Sequence, residues 1–188
     1  MLKCENIRKS FGELQVFDGF THEFAEGKRT VILGRSGCGK TTLLSLLMGL
    51  QSPDGGKVVR DGKISAVFQE NRLCENLTVS SNIRIVTGKR LSKTQIAEEL
   101  AAVGLENCEN KPARELSGGM KRRTALLRAL LAEYDVLFAD EPFKGLDAET
   151  KRDVIRYFKE KTVGKTVVLV THDSDECKTL ADETITLG

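Results

Sequence analysis

The stretch Gly34-Arg35-Ser36-Gly37-Cys38-Gly39-Lys40-Thr41 satisfies G-x4-G-K-[ST] at every required position. A short apolar run over 28–33 precedes it and an apolar helical pattern over 41–50 follows it. That context dictates a strand, a tight glycine turn and a helix. Glycines allow successive backbone N–H groups to turn inward around phosphate oxygens. The helix N-terminus adds the positive end of its dipole. In such a loop Lys40 reaches the β- and γ-phosphates of a nucleotide, and the Thr41 hydroxyl holds Mg2+. Cys38 occupies a variable position of the loop and reads as a spectator open to thiol reagents.

A second acidic site follows. Asp135-Val136-Leu137-Phe138-Ala139-Asp140-Glu141 is an apolar strand that ends in two acids. In open α/β sheets, ligands sit at the carboxyl ends of the strands. Asp140 is therefore a candidate Mg2+ ligand, and Glu141 a candidate to polarise an attacking water. An Asp-Glu pair alone would equally suit an acidic helix start. The phosphate loop in the same chain favours the catalytic reading.

The remaining elements define the fold class. Alternation of apolar and polar residues through the first ~30 positions predicts antiparallel strands. Two more strands are read over 57–60 and 64–68, around an Asp61-Gly62 turn. Ser92 with Gln95 forms a capping-box pattern opening a helix over 93–103, with Gly104 ending it. Ser117 opens a helix through 132, and Asp147 caps one over 148–161. Buried strands over 135–139 and 166–170, a short helix over 173–180 and an edge strand over 184–187 complete the chain. Apolar strands alternating with helices predict an α/β fold with a mostly parallel sheet. An N-terminal antiparallel β-subdomain and an inserted helical subdomain at roughly 78–132 accompany it.

The 188 residues suit one domain with a subdomain. Lys and Arg number 29 against 27 Asp and Glu, a net charge of +2, which argues against a nucleic-acid-wrapping protein. No apolar stretch approaches the ~20 residues of a membrane helix. The N-terminal MLKCENIRKSF lacks a signal core, so a cytoplasmic location is expected. The five cysteines are irregularly spaced and read as free thiols. The two histidines form no zinc pattern. His22 reads as a surface strand residue, and the run Lys121-Arg122-Arg123 as a solvated helix face.

Leu116-Ser117-Gly118-Gly119-Met120 opens the helix just before the acidic strand. Taken alone, it is a helix cap with an anion-binding tendency. With the other motifs it resembles the LSGGQ signature of the ATP-binding cassette family of ATPases, in the family's motif order and over essentially the whole chain. The resemblance implies a phosphate-loop NTPase fold and a set of roles. Phe11 matches the aromatic that stacks on adenine. Gly34, Arg35, Ser36, Gly37, Cys38, Gly39, Lys40, Thr41 and Thr42 would surround the ATP phosphates. Gln69, in Val67-Phe68-Gln69-Glu70, matches the glutamine that senses Mg2+ and the γ-phosphate. Thr41, Gln69 and Asp140 would then serve the metal. Gly145-Leu146-Asp147 matches the D-loop, and His172, in Val170-Thr171-His172-Asp173, the histidine that contacts the γ-phosphate. Glu141, His172 and Gln69 would be catalytic. Ser117, Gly118, Gly119 and Asp147 would meet the ATP of a partner copy. Met120 departs from the signature glutamine, and Phe11 from the commoner tyrosine.

The resemblance further implies ATP hydrolysis coupled to transport. Two copies, expected as a homodimer, would sandwich ATP and Mg2+ and power solute uptake through a separate integral membrane permease. The chain would lie on the inner face of the cell membrane, with a solute-binding protein as a further partner and no nucleic acid. The segment 68–83, with Asp140-Glu141-Pro142-Phe143, resembles importers of nitrate, sulfonate and taurine type, although Cys74-Glu75 replaces a frequent Pro-Trp. No appended regulatory domain is expected. The alternatives are a soluble cassette ATPase acting on nucleic acid or ribosomes, a small-molecule kinase and a non-catalytic regulatory subunit. A single cassette, no heptad run, the signature at 116–119 and the intact Lys40, Asp140, Glu141 and His172 weigh against them.

Overall fold

A computed structural model describes residues 1–188, which divide into two compact units. The first comprises Met1–Ile64, Tyr134–Glu141 and Gly164–Gly188. The second comprises Ser65–Glu133 and Pro142–Val163.

In the first unit, β1 (Leu2–Phe11) pairs antiparallel with β2 (Leu14–Phe24) and with β4 (Gly55–Arg60). Leu2, Cys4, Ile7, Phe17 and Phe24 are its buried side chains. The other sheet contains β3 (Arg29–Gly34), β6 (Val136–Asp140), β7 (Thr166–Val170) and β8 (Glu183–Leu187), side by side in the order β6-β7-β3-β8. These four strands are parallel throughout. Every residue of β6 and β7 is buried, as expected of strands covered on both faces. Over them packs α1 (Lys40–Leu47), whose Leu43, Leu44, Leu46 and Leu47 are buried. Each such side chain contributes about 1.5–3 kcal/mol. The last helix of the unit is α6 (Ser174–Leu180), with Asp173 capping the N–H groups of Asp175 and Glu176.

The two strands around the Asp61-Gly62 turn form, but they do not pair with each other. β4 joins β1, while β5 (Ile64–Val67) has no place in that antiparallel sheet. The turn is held open by outside partners. Asp61 N donates to Met1 O at 3.0 Å, and Lys63 N to Asp135 Oδ2 at 2.7 Å. The chain therefore leaves the antiparallel sheet instead of reversing into a hairpin.

The second unit contains the helical stretch. Its helices are α2 (Val79–Thr87), α3 (Lys93–Ala101), α4 (Gly118–Leu130) and α5 (Ala148–Lys161). The Ser92–Gln95 capping box opens α3. Val79 and Ile83 of α2, Ile96 and Leu100 of α3, and Leu126 and Leu127 of α4 are buried where these helices pack together. Phe143 meets Phe158 of α5 edge-on, with ring centroids 5.4 Å apart.

The Lys121-Arg122-Arg123 run is not a solvated face. The helical period of α4 turns Arg122 into the interior, where it is 4% exposed. Its guanidinium donates to the carbonyls of Phe68, Gln69 and Pro142. Lys121 pairs with Glu75, and Arg123 donates to the carbonyls of Val103 and Gly104. His22 is also partly covered, edge-on to Phe24 with centroids 4.7 Å apart.

Candidate nucleotide site

The phosphate loop joins β3 to α1 within the first unit. Lys40 is 7% exposed, and its Nζ donates to Gly34 O at 2.7 Å and Arg35 O at 2.8 Å. Burial without partners would be costly for an ammonium group. The loop carbonyls satisfy it and aim it back over the loop. Gly39, with φ +98°, precedes α1, and no side chain caps the helix. A Cβ at Gly39 would lie 2.5 Å from Val16 Cγ1, and one at Gly34 would lie 2.4 Å from Leu187 O. These approaches reserve both positions for glycine. The uncapped helix start leaves its first N–H groups to an anion. Arg35, Ser36 and Gly37 are exposed around it, Thr42 is half-buried on the first turn of α1, and Cys38 Sγ lies 4.0 Å from Lys40 Nζ.

Thr41 and Asp140 meet although 99 positions separate them. Thr41 Oγ1 donates to Asp140 Oδ2 at 2.8 Å. Asp140 ends β6 at the carboxyl edge of the parallel sheet and is 5% exposed. A hydroxyl and a carboxylate so close supply the hard oxygen donors that Mg2+ prefers. The site's chemistry therefore fits the ion with a nucleotide phosphate.

Glu141 and His172 are brought together beside it. Glu141 follows β6 with φ +45°, a left-handed conformation uncommon for a side-chain-bearing residue. Its N–H donates to Val170 O at 2.9 Å, which fixes the turn against β7. His172 Nδ1 lies 2.8 Å from Glu141 Oε1. The segment carrying His172 is anchored by a buried pair that the sequence did not single out. Thr171 Oγ1 donates to Glu176 Oε2 at 2.6 Å, and Asp173 N donates to Thr171 Oγ1. An acid two turns from a strand end offers no distinguishing pattern, so nothing in the sequence flagged it.

Phe11 belongs to the same unit. It ends β1 with 48% of its surface exposed, available for a planar ligand to stack on.

The other predicted residues lie in the second unit. Gln69 is exposed just after β5, and its carbonyl accepts from Arg122 Nη1 at 3.3 Å. Ser117 caps α4 by accepting from Met120 N at 3.3 Å. A Cβ at Gly118 would meet open space, and one at Gly119 would sit 3.8 Å from Gly145 O. The signature and Gly145-Leu146-Asp147 are thus neighbours. Asp147 Oδ1 accepts from Thr150 N at 3.0 Å and Glu149 N at 3.2 Å. These backbone bonds, the Thr150 one first, hold its carboxyl below the usual range. Asn82 was also not singled out. It is fully buried and holds the 74–78 loop through Cys74 N, Cys74 O and Thr78 O.

No helix is long and apolar enough to cross a membrane. A family model described as ABC transporter matches residues 17–144. The chain is 36% identical over 209 residues to the sulfate/thiosulfate import ATP-binding protein CysA of Xanthomonas campestris, covering 100% of this chain and 61% of that protein. It is 39% identical over 188 residues to the aliphatic sulfonates import ATP-binding protein SsuB 3 of Paraburkholderia xenovorans, covering 99% of this chain and 76% of that one. Among solved structures it resembles a dimeric ATP-binding cassette in a post-hydrolysis state bound to ADP and Pi. The TM-score is 0.88 at 29% identity, over 100% of this chain and 94% of the other.

Proposed function

This chain belongs to the ABC transporter family, and from that membership we propose that it is the ATP-hydrolysing subunit of an importer whose membrane pathway is a separate permease. The observation that carries the reading is the 2.8 Å contact of Thr41 with Asp140, beside the 2.8 Å contact of Glu141 with His172. Hard oxygen donors beside a carboxylate held by an imidazole support a metal-phosphate site with an adjacent base.

The roles follow from chemistry. Lys40 supplies the counter-charge to the β- and γ-phosphates, and the N–H groups at 37–42 bind their oxygens. Thr41, Asp140 and Gln69 would hold Mg2+, which would supply counter-charge to the phosphates. Glu141 accepts a proton from the attacking water, and His172 orients the Glu141 carboxylate and contacts the γ-phosphate. Phe11 stacks on adenine.

Two copies act together. ATP on the Lys40 face of one copy meets Ser117, Gly118, Gly119 and Asp147 of the other. Met120 supplies no polar contact there, so backbone and Ser117 carry the signature's share. The γ-phosphate thus biases a closed dimer that hydrolysis releases. The sulfonate and sulfate import proteins among the relatives support import of a small oxyanion or related solute. On this reading the chain sits at the inner membrane face, with a solute-binding protein delivering the cargo.

The test is light scattering of Glu141→Gln with and without Mg-ATP. A shift from about 21 to about 41 kDa, once and twice the 20.7 kDa chain, caused by ATP and not by ADP, is expected. A monomer at saturating Mg-ATP, with binding demonstrated, overturns the homodimer reading.

A further inference from the structure

Phe11 sits on an overhang. β1 pairs with β4 from Leu2↔Arg60 only as far as Arg8↔Gly55. Beyond that point Lys9, Ser10 and Phe11 have β2 alone as a ladder partner. A two-stranded end of this kind is marginal in water and frays. Here it is tied from its open side by one residue, Asp54. Its Oδ2 accepts from Ser10 N at 2.7 Å, and its Oδ1 from Lys9 Nζ at 2.8 Å. Asp54 N in turn donates to Arg8 O at 2.8 Å, and Lys9 Nζ also donates to Ser52 O at 3.0 Å. The bonds from Lys9 and Ser10 keep the Asp54 carboxyl below its ordinary range.

The same Lys9 ammonium lies 5.4 Å from the Phe11 ring centroid. A cation at that range is attracted to the ring's negative face and steadies the ring. Lys9 itself is held, its side chain only 15% exposed. The tie is also directional along the chain. Asp54 lies in the turn that leaves α1, and α1 begins with Lys40 and Thr41. Asp54 therefore ties the aromatic that would receive the base to the segment that follows the phosphate-binding helix.

We propose that Asp54 and Lys9 are positioning residues that hold Phe11 at a fixed reach from the phosphate loop, so that the base of a bound nucleotide adds to affinity. The inference rests on the reading of Phe11 as the base platform. An exposed ion pair alone contributes little to stability. What the tie provides is pre-organisation, since a platform already in place costs less ordering when the ligand binds.

Calorimetric titration of the whole chain with ATP and with inorganic tripolyphosphate separates the possibilities, because tripolyphosphate has no base to stack. Asp54→Ala is expected to weaken ATP binding about fivefold, the size of coupling between contacting residues, and to leave tripolyphosphate binding unchanged. Phe11→Ala should show the same selectivity. The double variant should be no weaker than Phe11→Ala alone, and Asp54→Asn, which keeps an acceptor for Ser10 N, should recover part of the loss. If Phe11→Ala weakens ATP binding but Asp54→Ala does not, or if the two losses add, the tie is refuted and the base platform stands. Equal losses for ATP and tripolyphosphate in Asp54→Ala also refute it, since Asp54 would then act on the phosphate loop or on folding. If Phe11→Ala leaves ATP affinity intact, the base-platform reading itself fails, and the tie with it.

Discussion

His172 Nδ1 and Glu141 Oε1 are 2.8 Å apart, although one follows β7 and the other follows β6. Adjacent parallel strands bring their carboxyl ends to one edge, and the left-handed turn at Glu141 aims its side chain across the gap. A carboxylate in that position needs its orientation fixed before it can accept a proton efficiently.

Glu141→Gln should keep ATP affinity and lose at least ~10²-fold in turnover, the usual size of a general-base contribution. His172→Ala should also spare binding and slow turnover, with the double variant no slower than the worse single one. Single-turnover hydrolysis of prebound ATP measures both. Unchanged turnover in Glu141→Gln would mean that another group positions the water.

Lys40→Ala should remove most ATP binding, since the phosphates lose their principal counter-charge. The fold should survive, because the Lys40 ammonium bonds only loop carbonyls and a thiol. Calorimetry against ATP, with circular dichroism as the folding control, checks this. Near-normal affinity would undo the phosphate-loop assignment.

Arg122→Ala should destabilise the protein by about 3 kcal/mol, because the carbonyls of Phe68, Gln69 and Pro142 lose their buried donor. Arg122→Lys should recover only part of this. An ammonium is a compact charge, whereas the guanidinium spreads fixed donors over several acceptors. Urea unfolding of the three proteins provides the comparison. Equal midpoints would show that the guanidinium carries no structural load.

Tyr134 is 5% exposed, and its hydroxyl has no hydrogen-bond partner. Burial pushes that hydroxyl up to about 12, against about 10 for a free phenol. The unfolded chain therefore loses this proton first, and folding stability should fall as the pH rises from about 10 to about 12. Below pH 10 the group should add no pH dependence. Tyr134→Phe should flatten that alkaline decline and cost little at neutral pH, since it removes an unsatisfied group. Denaturant midpoints between pH 8 and pH 11 decide the matter, and an unaltered slope in Tyr134→Phe would refute the assignment.

Much of the fold was written locally. Gly34 to Thr41 specify a strand–turn–helix unit, because few other residues permit the close approaches at Gly34 and Gly39. Ser92, Ser117 and Asp147 each announced a helix start, since a cap bonds within three residues of itself. The uninterrupted apolar runs of β6 and β7 indicated strands covered on both sides.

What was not legible depends on partners distant in sequence. The Asp61-Gly62 turn takes its bonds from Met1 and Asp135, each about sixty or more positions away. Arg122 looked solvated because charge suggests exposure, and only tertiary packing supplied the carbonyls that make its burial tolerable. Thr171, Glu176, Asn82 and the Asp54 tie gave no signal for the same reason. Sequence by itself determined which residues could carry phosphate chemistry and in what local backbone. The tertiary structure decided which of them meet, because the 2.8 Å contact between Thr41 and Asp140 joins groups that only the parallel sheet brings to one edge.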